Sequence, residues 1–167
     1  MPSSSKEKRD FLPEIADPVP QATRSRPPLP KTGNHDLCLS TLRADPRSSS
    51  ADVKGLAEIA LEAASAKSNE ALNYFLDLLR REGDPVRSRF CGTCVDTYGG
   101  NVKRIIPEAL TDLTNNQFAS AKESITTAAT NAQWCEDQFA GSSTGTGQNK
   151  AAHDTAALAA DVIGTLG

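Results

Sequence analysis

Between Phe118 and Phe139 the apolar residues return at alternating steps of three and four: Phe118, Ala121, Ile125, Ala128, Ala132, Cys135 and Phe139. This is the repeat of a helix whose one apolar stripe must be covered by other helices. Three further segments read the same way. Residues 50–82 place Val53, Leu56, Ala60, Ala63, Ala64, Ala71, Phe75 and Leu78 on one stripe. Residues 85–113 carry Cys94, Tyr98, Val102, Ile105 and Ala109, and residues 149–165 carry Ala152, Ala156, Ala159, Val162 and Ile163. Alanine, the best helix former, is frequent, and β-branched runs of period two are absent. The expectation is an all-α, up-down-up-down antiparallel four-helix bundle.

Local signals set the boundaries. Asp45-Pro46 stops a short amphipathic helix over 36–44, because proline disfavours helix in the residue before it. Ser49 with Asp52 three residues on reads as a capping box for the first long helix, and Gly83 ends that helix. Asp84 is the expected N-cap of the next helix, with Pro85 at its first position. Pro107 inside that helix removes the bond to the Lys103 carbonyl and predicts a kink. Gly141 to Gly147 is a loop. Residues 1–34 are rich in Pro, Ser and Arg and are expected to be disordered, leaving 35–167 as the folded domain. Within that tail, Arg24, Pro27 and Pro30 have the spacing of a polyproline ligand, a pattern that also arises easily in a solvated tail.

The four cysteines carry the sharpest geometric expectation. With the turn between the second and third long helices centred near Thr114, Cys94 lies 20 residues before it and Cys135 lies 21 after. In an antiparallel pair the two sit at one height on facing stripes, so a Cys94–Cys135 disulfide is expected. Closing a loop of that size stabilises the fold by about 4 kcal/mol in the chain-entropy model. Cys91 and Cys94 also form a Cys-x-x-Cys. A zinc site would need two more ligands, and the only histidines, His35 and His153, are far apart.

Other classes of function find little support. Net charge is −3 with a pI near 5.4, unlike the basic face a nucleic-acid binder needs. No run approaches the roughly 18 apolar residues of a membrane span. Met1-Pro2 and the three serines that follow do not read as a signal peptide. No nucleophile–base constellation suggests catalysis, and neither a metal nor a cofactor is expected.

Several motifs taken in order resemble the plant invertase/pectin methylesterase inhibitor family over residues 31–167. They are Leu37-Cys38-Leu39-Ser40-Thr41-Leu42, Asp45-Pro46-Arg47-Ser48, Asp52-Val53-Lys54-Gly55-Leu56-Ala57, Cys94 with Tyr98, and Cys135-Glu136-Asp137-Gln138-Phe139. The resemblance implies a helical bundle with two disulfides, secreted to the apoplast or cell wall or held in the vacuole. It also implies one-to-one binding to a plant acid invertase or pectin methylesterase, without catalysis or cofactor. It supports the Cys94–Cys135 bond independently of the spacing. The family's first cysteine falls here on Leu29, so Cys38 lacks its usual partner and Cys91 is an extra thiol. Cys38 is expected to stay unbonded, with bonding to Cys91 or to a second chain as alternatives.

On the target, the hints conflict. Ile106-Pro107-Glu108-Ala109 is similar to a segment of invertase inhibitors, and Trp134 stands where pectin methylesterase inhibitors place Thr. Asp96 and Asp137 keep the acidic character of pectin methylesterase inhibitors, but Gly100, Lys103 and Thr130 do not. These points favour invertase. Against it, the Pro-Lys-Phe of invertase inhibitors is matched by Asn116, Gln117 and Phe118, so a charge-assisted contact is lost. Trp134, the only tryptophan, adjoins a core cysteine and should point partly outward. The expected enzyme-binding residues are therefore Asn116, Gln117, Phe118, Asp96, Trp134 and Asp137.

Overall fold

The computed structural model describes residues 35–167, and every described element is helical. The Pro-rich tail, its Arg24-to-Pro30 motif and Leu29 lie outside the described residues. A short helix α1 (His35–Arg43) and a 3₁₀ turn (Pro46–Ser49) lead into α2 (Val53–Arg81). The second rod is α3 (Pro85–Gly100), a π turn (Asn101–Ile105) and α4 (Ile106–Thr114) in one line of chain. Then follow α5 (Phe118–Gln138) and α6 (Thr146–Gly164). Each long rod packs on the next, and α6 closes the ring against α2, giving the expected four-rod bundle.

The caps follow local chemistry. Asp84 accepts from the Val86 N–H at 3.1 Å with Pro85 behind it, as expected. The capping box at Ser49 does not form. Pro46 launches the 3₁₀ turn, in which the Ser49 hydroxyl donates back to the Pro46 carbonyl at 3.1 Å. Asp52 takes the cap of α2 instead, accepting from Gly55 N–H at 2.8 Å, so the helix starts at Val53 rather than near residue 50. A cap of this kind is worth about 1 kcal/mol. The last helix begins at Thr146, earlier than expected. Gly145 turns the chain there with φ +72°, and a Cβ at that position would lie 2.4 Å from Phe75 Cζ. Only glycine meets both demands.

The kink expected at Pro107 is taken up before it. The Ile106 N–H bonds the Asn101 carbonyl, five residues back, so the helix carries one wide turn. That turn brings Asn101 into the core in place of Val102, which is only half-buried. Asn101 Nδ2 donates to the Ala128 carbonyl at 3.2 Å, and its Oδ1 accepts from Asn131 at 2.8 Å. The buried amide therefore has partners on both sides, as burial requires.

The core divides along the bundle axis. One cluster holds Leu56, Leu61, Ile125, Leu158, Val162 and Ile163 with many alanines, and α1 adds Cys38 and Leu42. The other holds Phe75, Tyr98 and Phe139 with Cys91, Cys94 and Cys135. Cys94 and Cys135 are bonded with Cα atoms 5.5 Å apart, as the spacing predicts. Cys38 and Cys91 are buried thiols in different clusters, which rules out the bond between them in this fold. Burial, with the Glu82 charge second, pushes the Cys91 thiol above its ordinary pKa.

Candidate functional site

The expected binding residues fall into separate places. Asn116, Gln117 and Phe118 form the turn from α4 into α5. Trp134 lies sixteen residues further on, about 24 Å away along α5 at 1.5 Å per residue. Asp96 is exposed on α3. Only Trp134 and Asp137 share a concave surface.

At the turn, the structure commits most of the chemistry internally. Asn116 has φ +61°, and its Oδ1 accepts from Lys54 Nζ at 2.9 Å. The same ammonium donates to the Thr114 carbonyl at 3.2 Å. Lys54, from the first turn of α2, thus clamps the turn. Phe118 is half-buried against the aliphatic core cluster, so its ring packs inward. Gln117 alone of the three is exposed with a side chain that bonds none of the described residues, while its N–H reaches the Asp112 carbonyl at 2.8 Å. Pro107, the centre of the Ile-Pro-Glu-Ala segment, is exposed in the first turn of α4 after the π turn, and Ala109 is buried core. Ile106 and Ala109 serve the core, while Pro107 and Glu108 remain on the surface.

The other end offers an open groove of about 530 Å³ between α5 and α6. Trp134 is 41% exposed, as its place beside Cys135 predicts. Asp137 accepts from Gln133 Nε2 at 2.9 Å, one turn apart on the same helix. Across from them stands His153, whose Nδ1 lies 2.9 Å from Asp154 Oδ1. Asp154 also accepts from Lys150 at 2.5 Å. Burial raises the Asp154 pKa, but the hydrogen bonds from Lys150 and His153 outweigh it, so the carboxyl sits below its ordinary value.

Behind this groove runs a polar chain that sequence reasoning missed. Tyr98 OH donates to Asn149 Oδ1 at 2.7 Å, Asn149 Nδ2 donates to Glu136 Oε1 at 2.8 Å, and Thr146 donates to Glu136 Oε2 at 2.9 Å. It ties α3, α5 and the first turn of α6 together beside the disulfide. Burial first, and the Glu136 charge second, push the Tyr98 hydroxyl well above its ordinary pKa. A second clasp closes the α5–α6 loop. Arg87 bonds Glu82 at 3.0 Å and Thr144 Oγ1 at 2.9 Å, with its guanidinium 5.4 Å from the centre of the Phe139 ring. Neither arrangement is complete locally, since Tyr98 and Asn149 are 51 residues apart and Arg87 and Thr144 are 57 apart.

Among the described residues, no group of three or more His, Cys, Asp or Glu could hold a metal ion, and no helix is long and apolar enough to cross a membrane. The Cys91-x-x-Cys94 pair is split, with Cys94 bonded to Cys135.

Comparison with known proteins gives one consistent picture. Residues 30–162 match the family model described as plant invertase/pectin methylesterase inhibitor. The protein named "Putative invertase inhibitor" of Platanus orientalis is 31% identical over 106 residues, 64% of this chain and 62% of that protein. The "Pectinesterase inhibitor" of Actinidia deliciosa is 32% identical over 112 residues, 67% of this chain and 60% of that protein. The chain thus spans about three fifths of the length of the curated relatives it matches. The crystal structure of a pectin methylesterase inhibitor from Arabidopsis thaliana superposes with a TM-score of 0.65, covering 81% of this chain and 91% of that one at 20% identity. At that identity the likeness is one of fold.

Proposed function

Since the chain belongs to the plant invertase/pectin methylesterase inhibitor family, we propose that it is a non-catalytic inhibitor that binds a cell-wall carbohydrate-active enzyme one to one, with pectin methylesterase as the first target. The observation that carries the choice is the closed turn at Asn116–Phe118. Lys54 occupies Asn116, and Phe118 packs into the core, so the turn presents little beyond Gln117 to a glycosidase active site. The invertase expectation rested on the Ile106-to-Ala109 segment, on Trp134 in place of Thr, and on the loss of acidic character at Gly100, Lys103 and Thr130, and the turn already counted against it. Asp96 and Asp137 supply exposed acidic groups, and the half-exposed Trp134 supplies an interface anchor of the kind that dominates binding energy. The 32% identity to the Actinidia pectinesterase inhibitor supports the same choice. Residues 35–167 are the inhibitory domain in this reading, acting outside the cell in the wall.

Acid invertase is the second reading, favoured by the Platanus relative and by the exposed tip at Gln117. Parallel inhibition assays with the full chain at mildly acidic pH decide between them. The expected result is loss of pectin methylesterase activity near equimolar inhibitor, with invertase unaffected. Invertase inhibition alone reverses the order, and inhibition of neither refutes the proposal. Trp134→Ala should weaken inhibition about tenfold or more, the signature of an interface hot spot.

A further inference from the structure

We propose that the groove between α5 and α6 is a binding site for a neutral saccharide chain, with the Trp134 indole as its stacking platform. The floor is made of methyl groups, from Ala129, Ala157 and Ala160. The Trp134 ring forms one wall and is 41% exposed. Around the rim stand an amide at Gln133, an imidazole at His153, and the hydroxyls of Thr126 and Thr130. A pyranose ring divides the same way. Its faces present C–H bonds, which pack on an aromatic face or on methyls, and its edge presents hydroxyls that both donate and accept. The groove volume, about 530 Å³, is that of a small-molecule site.

Charge selects the class of sugar. The rim holds Asp137 and Asp161 against Lys122 and His153. Asp137 and Asp161 outnumber the Lys122 ammonium, so a polyanionic chain is repelled, and no cluster of lysines or arginines lines the groove to hold carboxylates or phosphates. The Lys122 ammonium in turn disfavours a cationic ligand. An uncharged chain meets neither penalty, and the Gln133–Asp137 pair, 2.9 Å apart, offers it a fixed donor–acceptor edge. Length selects an oligomer over a single ring. Past Gln133 and His153 the groove continues toward the start of α6, lined by Glu136, Asn149 and Lys150.

This inference does not rest on the identity of the target enzyme. It shares Trp134 with the proposed enzyme contact, so saccharide and enzyme should exclude one another there. The test uses the full chain alone. Fully methyl-esterified oligogalacturonate is neutral, and its de-esterified form has the same rings with a carboxylate on each. Trp134 is the only tryptophan, so its emission reports on the groove directly. The esterified oligomer should shift that emission and give a saturable calorimetric isotherm, and the free acid should bind at least about tenfold weaker. Trp134→Ala should lower affinity for the esterified oligomer at least about tenfold by calorimetry. Ala157→Gln, which raises the floor while leaving the indole in place, should do the same with an unchanged helical circular dichroism spectrum. The proposal is overturned by absence of saturable binding, by equal binding of ester and free acid, or by binding that survives both substitutions.

Discussion

Where α2 ends and α3 begins, the bundle is filled with rings and sulfur. Phe75 stacks near Tyr98 and Phe139 with ring centres 6.1 and 5.8 Å away, meets Tyr74 edge-on at 5.1 Å, and lies in one cluster with the Cys94–Cys135 bond. Around Leu56, Ile125 and Ile163 at the opposite end, no aromatic side chain is fully buried, and alanines from α2, α5 and α6 let the rods approach closely. The ring-filled end relies on a few large, oriented pieces, a covalent bond and the Tyr98–Asn149–Glu136 chain. The methyl-filled end relies on many small contacts, with the buried Asn101 bridging to Ala128 and Asn131 as its polar link. The first is vulnerable to loss of any one piece, and the second to any increase in size.

The largest test of that contrast is the disulfide. Replacing both Cys94 and Cys135 by serine should lower unfolding free energy by about 4 kcal/mol. Hydrogen exchange should rise first in residues 90–98 and 132–139 and last around Ile125. Uniform loss of protection across both ends would break the distinction. Phe75→Ala should follow, costing about 3 to 4 kcal/mol by denaturant titration, because three neighbouring rings lose a partner at once. At the other end, enlargement should hurt: Ala128→Leu is expected to cost about 2 kcal/mol, since the site where Asn101 reaches the Ala128 carbonyl has no spare volume. A neutral or stabilising outcome would show that the methyl end contains slack.

The smallest effect is the most specific. Tyr98→Phe leaves Asn149 Oδ1 without its donor and should cost about 1 kcal/mol at neutral pH. The folded-state pKa of Tyr98 is raised above its ordinary 10. Its contribution is therefore intact below pH 10 and is lost as pH climbs above that value toward the folded pKa, because the unfolded chain ionises first. The wild-type chain should show an alkaline loss of stability that Tyr98→Phe reduces. Identical alkaline profiles would mean the hydroxyl is not shielded as described.

Features set by near neighbours in the chain were legible in the sequence. The Asp84-Pro85 start needs only two residues, and the Phe118-to-Phe139 stripe needs only helical spacing. The Cys94–Cys135 bond followed from counting along two rods that share a turn. Trp134 faces outward because its neighbour Cys135 faces inward. Legibility failed where the deciding atom came from elsewhere. Ser49 reads as a cap by its spacing to Asp52, but the 3₁₀ turn that Pro46 launches takes its hydroxyl. Asn116 looks available because nothing local announces that Lys54 reaches across from α2, whereas the inward packing of Phe118 follows from its place at the head of the stripe. His153 enters the groove from the last helix, and no spacing within one helix could have placed it opposite Trp134.

The wide turn at Asn101–Ile105 gives the second rod one surplus residue, and it works as a phase shifter. An α-helix advances about 100° per residue, the angle implied by 3.6 residues per turn. Winding that stretch into a regular α-helix with every residue kept would swing everything beyond it by that angle relative to Cys94. Ala109 and Leu113 would then rotate off the interior, while the sulfur bridge upstream stayed in place. The bulge therefore lets one rod serve two interiors of unlike composition, keeping each half in its own angular setting.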